Sequence, residues 1–279
     1  MANSNKTTTL VKSVTNAVGT CTYTYDLVGN IKTISDGTYT TSYDYDALNQ
    51  LVRENNQKEN YTKTFEYSNG NITSKKTYVY TLGTLSGTPT VETFAYGDAE
   101  WKDLLTSFNG KNITYDAIGN PTKIGTDVLS WQGRQLMSYG TNSYEYNADG
   151  QRTSKTVGGV KTEFFYNGSI LAGQKCGNDT LIFMYDNNGD SFGFTYNGTE
   201  YYYVKNAQND VIAVANANGT IVAKYTYDAW GKTISITDAN GNAAPQNSIG
   251  NINPIRYRSY YFDAETNISY IFLAAFTSA

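Results

Sequence analysis

One octapeptide pattern constrains this chain more than any other feature. YTYDLVGN at residues 23–30 returns as YDYDALNQ at 43–50, ITYDAIGN at 113–120, YEYNADGQ at 144–151 and YTYDAWGK at 225–232. Degraded copies lie between them: FEYSNGN from Phe65, SWQGRQ from Ser130 and FFYNGS from Phe164. Recurrence at about twenty residues marks a repeat architecture, in which each unit buries its apolar face only against its neighbours.

The pattern has a direct physical reading. Tyr23 and Tyr25 alternate with threonines, and aromatic and β-branched residues at period two make a strand with one tyrosine face. Asp26 ends the strand, because a short carboxylate accepts hydrogen bonds from N–H groups two residues on. Gly29 supplies positive φ, and Asn49 tolerates the same conformation in the second copy. The equivalent turn positions are Asp46, Asp116 with Gly119, Asn147 with Gly150, and Asp228 with Gly231. Ile31, Thr33 and Ile34 begin the returning strand, so each copy is a β-hairpin that must lean on its neighbours. The expected fold is all-β: on the order of ten antiparallel hairpins in one ribbon.

These residues resemble the YD repeats of the Rhs family of bacterial proteins, shared with the C component of Tc toxins and with animal teneurins. The resemblance covers nearly the whole chain and rests on many copies. It implies a continuous β-ribbon that spirals into part of a hollow shell around a cargo, often a toxin domain. It further implies a non-enzymatic wall segment of a secreted or cell-surface polymorphic toxin used between bacteria. The expected partners are that cargo and the rest of the parent shell.

Composition agrees with a thin wall. Hydrophobic residues make up 39% of the 279, and 26 of them are tyrosines, whose rings pack while their hydroxyls stay wet. The 25 glycines against 4 prolines suit many tight turns in ladders that proline would interrupt. Net charge of −4 carries no electrostatic footprint for nucleic acid. With no histidine, Ser-His-Asp and Cys-His catalysis are excluded. Cys21 and Cys176 read as two lone thiols, with a disulfide as the alternative. No apolar run approaches the ~20 residues that span a bilayer, and the N-terminal residues lack the apolar core of a secretory signal.

Taken in order, the chain divides into a repeat array over residues 1–236, a polar loop over 237–252 and the start of an Rhs-associated core over 253–279. Residues 82–90, LGTLSGTPT, read as a loop. Residues 98–105 read as the one helical turn, with Trp101, Leu104 and Leu105 on one face as a hydrophobic plug of the sheet. WQGRQLM reads as a repeat whose turn is cut to Gln132-Gly133, and Gly158-Gly159 reads as a two-residue hairpin turn. NPIRYRSYYFDAET, residues 253–266, resembles the opening of the family's core, the module that seals the shell and in many members cuts the cargo free. Arg256, Arg258 and Asp263 match it. From Asn267 the chain departs from that pattern, and no position matches a cleavage aspartate, so no self-cleavage is expected. The apolar run at 270–276 is expected to pack on the sheet or to drive self-association through strand edges.

Other chemistry is weighed against turn structure. Residues 186–190, DNNGD, have calcium-loop spacing, but Ser191 and Asn197 stand where the glycine and the bidentate glutamate belong. A plain Asx turn is the simpler reading. The repeated aspartates sit at one turn position each, which explains them without catalysis. Asn71, Asn112, Asn197 and Asn218 head glycosylation triplets that follow from Asn-Gly turns and Thr-rich strands. A carbohydrate-binding or adhesion module is the alternative function, since tyrosine faces stack on sugars. An autoproteolytic core is a weaker one. No cofactor or metal is expected.

Overall fold

The computed structural model describes residues 8–266 and the backbone of 268–269. The fold is all-β: the 23 strands that precede residue 238 belong to one antiparallel sheet. The hairpin of Gly19–Tyr25 and Ile31–Ser35 shows why the sequence does this. Asp26 Oδ1 accepts from the N–H groups of Val28 (3.0 Å) and Asn30 (2.9 Å), and Asn30 Nδ2 returns a bond to Asp26 Oδ2 (2.9 Å). Gly29 takes φ 97° and Asn49, in the next turn, φ 62°. The same pair of side-chain bonds recurs from Asp46, Asp116, Asn147 and Asp228. Asn206, Asn216 and Asp238 build it too. Asp186 also spends its carboxylate this way, on the N–H groups of Asn188 and Asn188's second neighbour, Asp190.

A consequence follows for the glycines. Gly29→Val and Gly119→Val should each destabilise by about 1–3 kcal/mol, because a β-branched residue is forced to positive φ. Thr24→Ser keeps the hydroxyl that meets Thr33 Oγ1 at 2.6 Å and should be nearly silent. Urea midpoints compare the two classes, and equal shifts would refute the turn's role.

One regular feature has no signature in the repeat's composition. In several strands the pairing register shifts by one residue just before the last aromatic: between Thr24 and Tyr25, Asp44 and Tyr45, Glu66 and Tyr67, and Thr226 and Tyr227. Such a bulge twists the strand end and re-aims its side chain.

The chain forms two compact units, residues 1–110 and 111–279. In the first, strands from Ser13–Asn16 to Ser107–Phe108 pair each with the next, and Tyr23, Tyr61 and Phe65 are buried. In the second, strands run from Lys111–Tyr115 to Thr233–Thr237. Its main core gathers Leu181, Phe183, Phe194, Val211, Val214, Ala223, Tyr225 and Ile255, and Leu129, Leu136 and Tyr144 form a smaller one. Period-two alternation sends the intervening residues to the opposite face, where hydroxyls pair across strands, as Thr114 with Thr122 (3.0 Å) and Thr226 with Ser235 (2.7 Å).

Three expectations need correction. Residues 98–105 are not helical: Asp98 Oδ1 captures the N–H groups of Glu100 (2.9 Å) and Trp101 (2.7 Å), a local turn that competes with helix. Trp101 is 37% exposed, at odds with a plug buried in the sheet. Among the described residues helix lies instead at Ile249–Ile252, with a 3₁₀ turn at Tyr257–Ser259. The short turn of the WQGRQLM repeat is Gly133-Arg134, between Asp127–Gln132 and Gln135–Tyr139. The stretch 237–252 is also more than a loop. Asp238 makes another Asx turn, and Gly250 is buried where a Cβ would lie 2.7 Å from Ile236 Cγ2. The loop between Asn71–Val79 and Thr90–Ala95 agrees with expectation. So does the Gly158-Gly159 turn, with both φ values positive. The apolar run at 270–276 lies outside the described residues.

Candidate functional site

Two constructions make up the candidate site: the tyrosine face and the segment seated on it. Where the bulge precedes an aromatic, it aims that side chain at an earlier hairpin. Tyr25 Oη donates to the Val11 carbonyl (2.8 Å), Tyr45 to Ile31 (3.0 Å) and Tyr67 to Leu51 (2.9 Å). In the second unit Tyr166 donates to Arg152 (3.0 Å), Tyr185 to Leu171 (2.8 Å) and Tyr227 to Val211 (2.7 Å). Trp131 takes the same part in the degraded repeat, its Nε1 donating to Pro121 (2.7 Å). These rings interlock successive hairpins, and each hydroxyl satisfies a carbonyl close to the start of an earlier returning strand. Burial pushes up the phenols of Tyr45 and Tyr185, of Tyr67 to about 12 and of Tyr227 well above the ordinary value; in the same core it pushes Tyr203 well above that value and Tyr225 to about 12.

Across this face in the second unit lies the segment from Asn253. The Asn253 side chain is fully buried. Its Oδ1 accepts from Tyr203 Oη (2.9 Å) and its Nδ2 donates to Tyr225 Oη (3.2 Å) and the Ile255 carbonyl (2.7 Å). Arg256 is buried with its Nε on the Asn253 carbonyl (3.2 Å) and its guanidinium 4.5 Å from the centre of the Phe262 ring; burial lowers its pKa. Tyr257 lies over Gly231, where a Cβ would come within 2.4 Å of its ring. That contact, as well as φ 84°, requires glycine there. Arg258 donates its backbone N–H to Asp210 Oδ1 (3.0 Å) and its Nη1 to the Gln208 carbonyl (3.0 Å).

Asp263 is the far anchor. Arg152 grips its carboxylate with both Nη atoms (2.7 and 2.9 Å), and Lys155 Nζ reaches Asp263 Oδ1 (2.9 Å) and Glu265 Oε2 (2.9 Å). Burial pushes the Asp263 carboxyl up, but Arg152 and Lys155 outweigh it and hold it below the usual range. The Arg152 guanidinium also lies 4.9 Å from the centre of the Phe164 ring. A buried pair like this adds little net stability over an apolar contact, yet deleting one partner strands a charge at a cost of about 3–5 kcal/mol.

The structure thus gives Arg256, Arg258 and Asp263 structural partners, and leaves Asp26, Asp46, Asp116 and Asp228 apart, each in its own turn. Among the described residues no group of three or more His, Cys, Asp or Glu converges as for a metal ion. Cys21 and Cys176 are free thiols, which corrects the disulfide alternative. Sequence reasoning missed Arg152, Lys155 and Asp210. Arg152 carried a signal: it opens a returning strand where Ile31, Leu51, Pro121 and Val211 stand in other copies.

Hairpins tied by tyrosine hydroxyls, with an Arg/Tyr/Asp segment seated on their aromatic face, define a structural repeat scaffold. The family model described as RHS Repeat matches residues 206–243. The tRNA nuclease WapA of Bacillus subtilis (strain 168) is 32% identical over 239 residues, covering 81% of this chain and 10% of that protein. The tRNA3(Ser)-specific nuclease WapA of Bacillus spizizenii is equally similar over the same extent. Among solved structures, TcdB2-TccC3 without its hypervariable C-terminal region superposes with TM-score 0.60 at 16% identity, over 93% of this chain and 15% of that one. The Photorhabdus luminescens Tc holotoxin pore gives 0.59 at 16% identity, over 90% and 14%. The chain belongs to the Rhs family of YD-repeat proteins. It spans about a tenth of the length of the sequence relatives it matches.

Proposed function

We propose that this chain is a wall segment of a hollow Rhs shell that encloses a toxin cargo and performs no chemistry itself. The observation that carries the reading is the interlocking of the tyrosines. Their hydroxyls are engaged by the preceding hairpin, so the face that looks most like a binding surface is spent on holding the ribbon together. This favours a wall over a carbohydrate-binding or adhesion module, whose tyrosines would present free edges to a sugar. The matching relatives are nucleases by name. In this reading the nuclease chemistry belongs to a cargo of the parent toxin, and the parent is secreted or held at the bacterial surface. Residues 253–279 begin the core that seals the shell, and exposed strand edges account for any self-association. No cofactor enters this reading. No helix among the described residues is long and apolar enough to cross a membrane.

Two assays test it. The purified chain incubated with total tRNA should leave it intact. In the full-length parent protein, the cargo should resist a protease that degrades the same cargo expressed alone. Cleavage of tRNA by this chain, or equal digestion of shelled and free cargo, would overturn the proposal.

A further inference from the structure

We infer that residues 253–265 form a releasable latch: a strap across the aromatic face of the second unit that detaches as one piece while the ribbon beneath stays folded. The inference is independent of what a shell encloses and rests on how the strap is attached. Its main chain bonds largely to itself: Arg256 N–H to the Tyr260 carbonyl (3.0 Å), Tyr260 N–H to Tyr257 (2.9 Å) and Phe262 N–H to Pro254 (2.8 Å). The ribbon's ladders run strand to strand without it. Val211 N–H to the Arg256 carbonyl (3.1 Å) ties the two backbones.

The remaining anchors are set along the ribbon: Ile255 packs into the main core, Tyr257 lies over Gly231, the Arg258 N–H meets Asp210, and the others are side chains far apart. Asn253 sits on Tyr203 and Tyr225, and Ser259 Oγ donates to the Asn209 carbonyl (2.9 Å). Tyr261 Oη donates to Gln174 (2.7 Å), with its ring edge-on to Phe164 at 5.6 Å. Asp263 closes the far end on Arg152 and Lys155. The strap therefore crosses from the strand Ile221–Tyr227 to the strand Arg152–Val157. Two features set it against the ribbon. Arg258 (φ 53°) and Ser259 (φ 59°) are held in the left-handed region, strain that detachment relieves. The far anchor is electrostatic: the anions Asp263 and Glu265 face the cations Arg152 and Lys155, with the phenols of Tyr144 and Tyr261 beside them. Neutralising Asp263 leaves two buried cations against one carboxylate, and relief comes by lifting the strap.

Hydrogen exchange on the full chain tests this. Wild type and Asp263→Asn are compared at neutral pH, peptide by peptide. The amides of residues 255–262, and Val211 N–H, which loses the Arg256 carbonyl, should exchange about tenfold or more faster in the variant, while those of 181–185, 191–196 and 212–216 keep their protection. In wild type, raising urea below the global transition should open the strap before those strands. Loss of protection in strap and ribbon together, an unchanged strap, or an Asp263→Asn chain that does not fold would each overturn the latch. The last outcome counts because the ribbon must stand without it. Asp210→Asn is the companion variant. It keeps a turn that Asn30 and Asn120 also close, but weakens the strap's middle anchor. It should accelerate exchange at 256–260, and no acceleration there would place Asp210 outside the latch.

Discussion

Replacing Phe194 by alanine should cost about 3–5 kcal/mol, the range for deleting a fully enclosed aromatic ring. Phe194 has no solvent exposure and sits at the centre of the largest core. Its ring stacks on Tyr201 at 5.4 Å and lies against Tyr203 at 5.6 Å. Truncation therefore removes the ring's own burial and leaves two tyrosines facing a void. The ribbon cannot close over that void cheaply, because both neighbouring strands are fixed in register, Phe194 opposite Phe183 on one side and Tyr201 on the other. Val160→Ala is the control. Val160 is 55% exposed beside a hairpin turn, where surface substitutions usually stay within about 0.5 kcal/mol. Urea unfolding of both variants is the measurement. Similar midpoint shifts would mean that the two faces of the ribbon are not buried as described.

Raising the pH should unfold the ribbon of the second unit in one cooperative step. Tyr225 and Tyr261 are pushed up to about 12 by burial, and Tyr203 and Tyr227 rise well above the ordinary value for the same reason. In the unfolded chain these phenols ionise near pH 10. The sign follows from linkage: above that pH the folded state holds protons that the unfolded state has lost. The tyrosine contribution is thus fully present below about pH 10 and is lost as pH rises through the folded values. A shift of two pK units corresponds to about 2–3 kcal/mol, so several such groups together are comparable to the usual margin of a domain. Near-ultraviolet tyrosinate absorbance and infrared amide I report the two halves. The ribbon's buried phenols, Tyr203, Tyr225 and Tyr227, should ionise together with loss of sheet, after the exposed ones and after Tyr261 on the strap. Smooth titration of all tyrosines near pH 10 with the sheet intact would contradict the buried face.

How much was legible beforehand depends on how local the interaction is. Asp26 and its equivalents bond N–H groups two and four residues on, so the turn is written within one octapeptide. Alternation of Tyr23 and Tyr25 with threonine likewise sets the two faces of a strand. The sequence by itself therefore determined the hairpin, its turn chemistry and the all-β class. Residues 98–105 misled because apolar spacing favoured helix while the Asp98 side chain captured the same backbone groups for a turn.

Tertiary structure alone decided the rest. Tyr227 finds its acceptor in a main-chain carbonyl at Val211, and any residue supplies a carbonyl, so no side chain announces the bond. The bulge that makes it possible is a property of two paired strands and is absent from either one. Arg152 and Asp263 meet across a separation of 111 residues, brought together only when the strap crosses the stacked hairpins. Asp263 could be named in advance by resemblance, but its partners could not. Coulomb attraction in a buried site depends on which charges are left there without water, and only the folded ribbon fixes that.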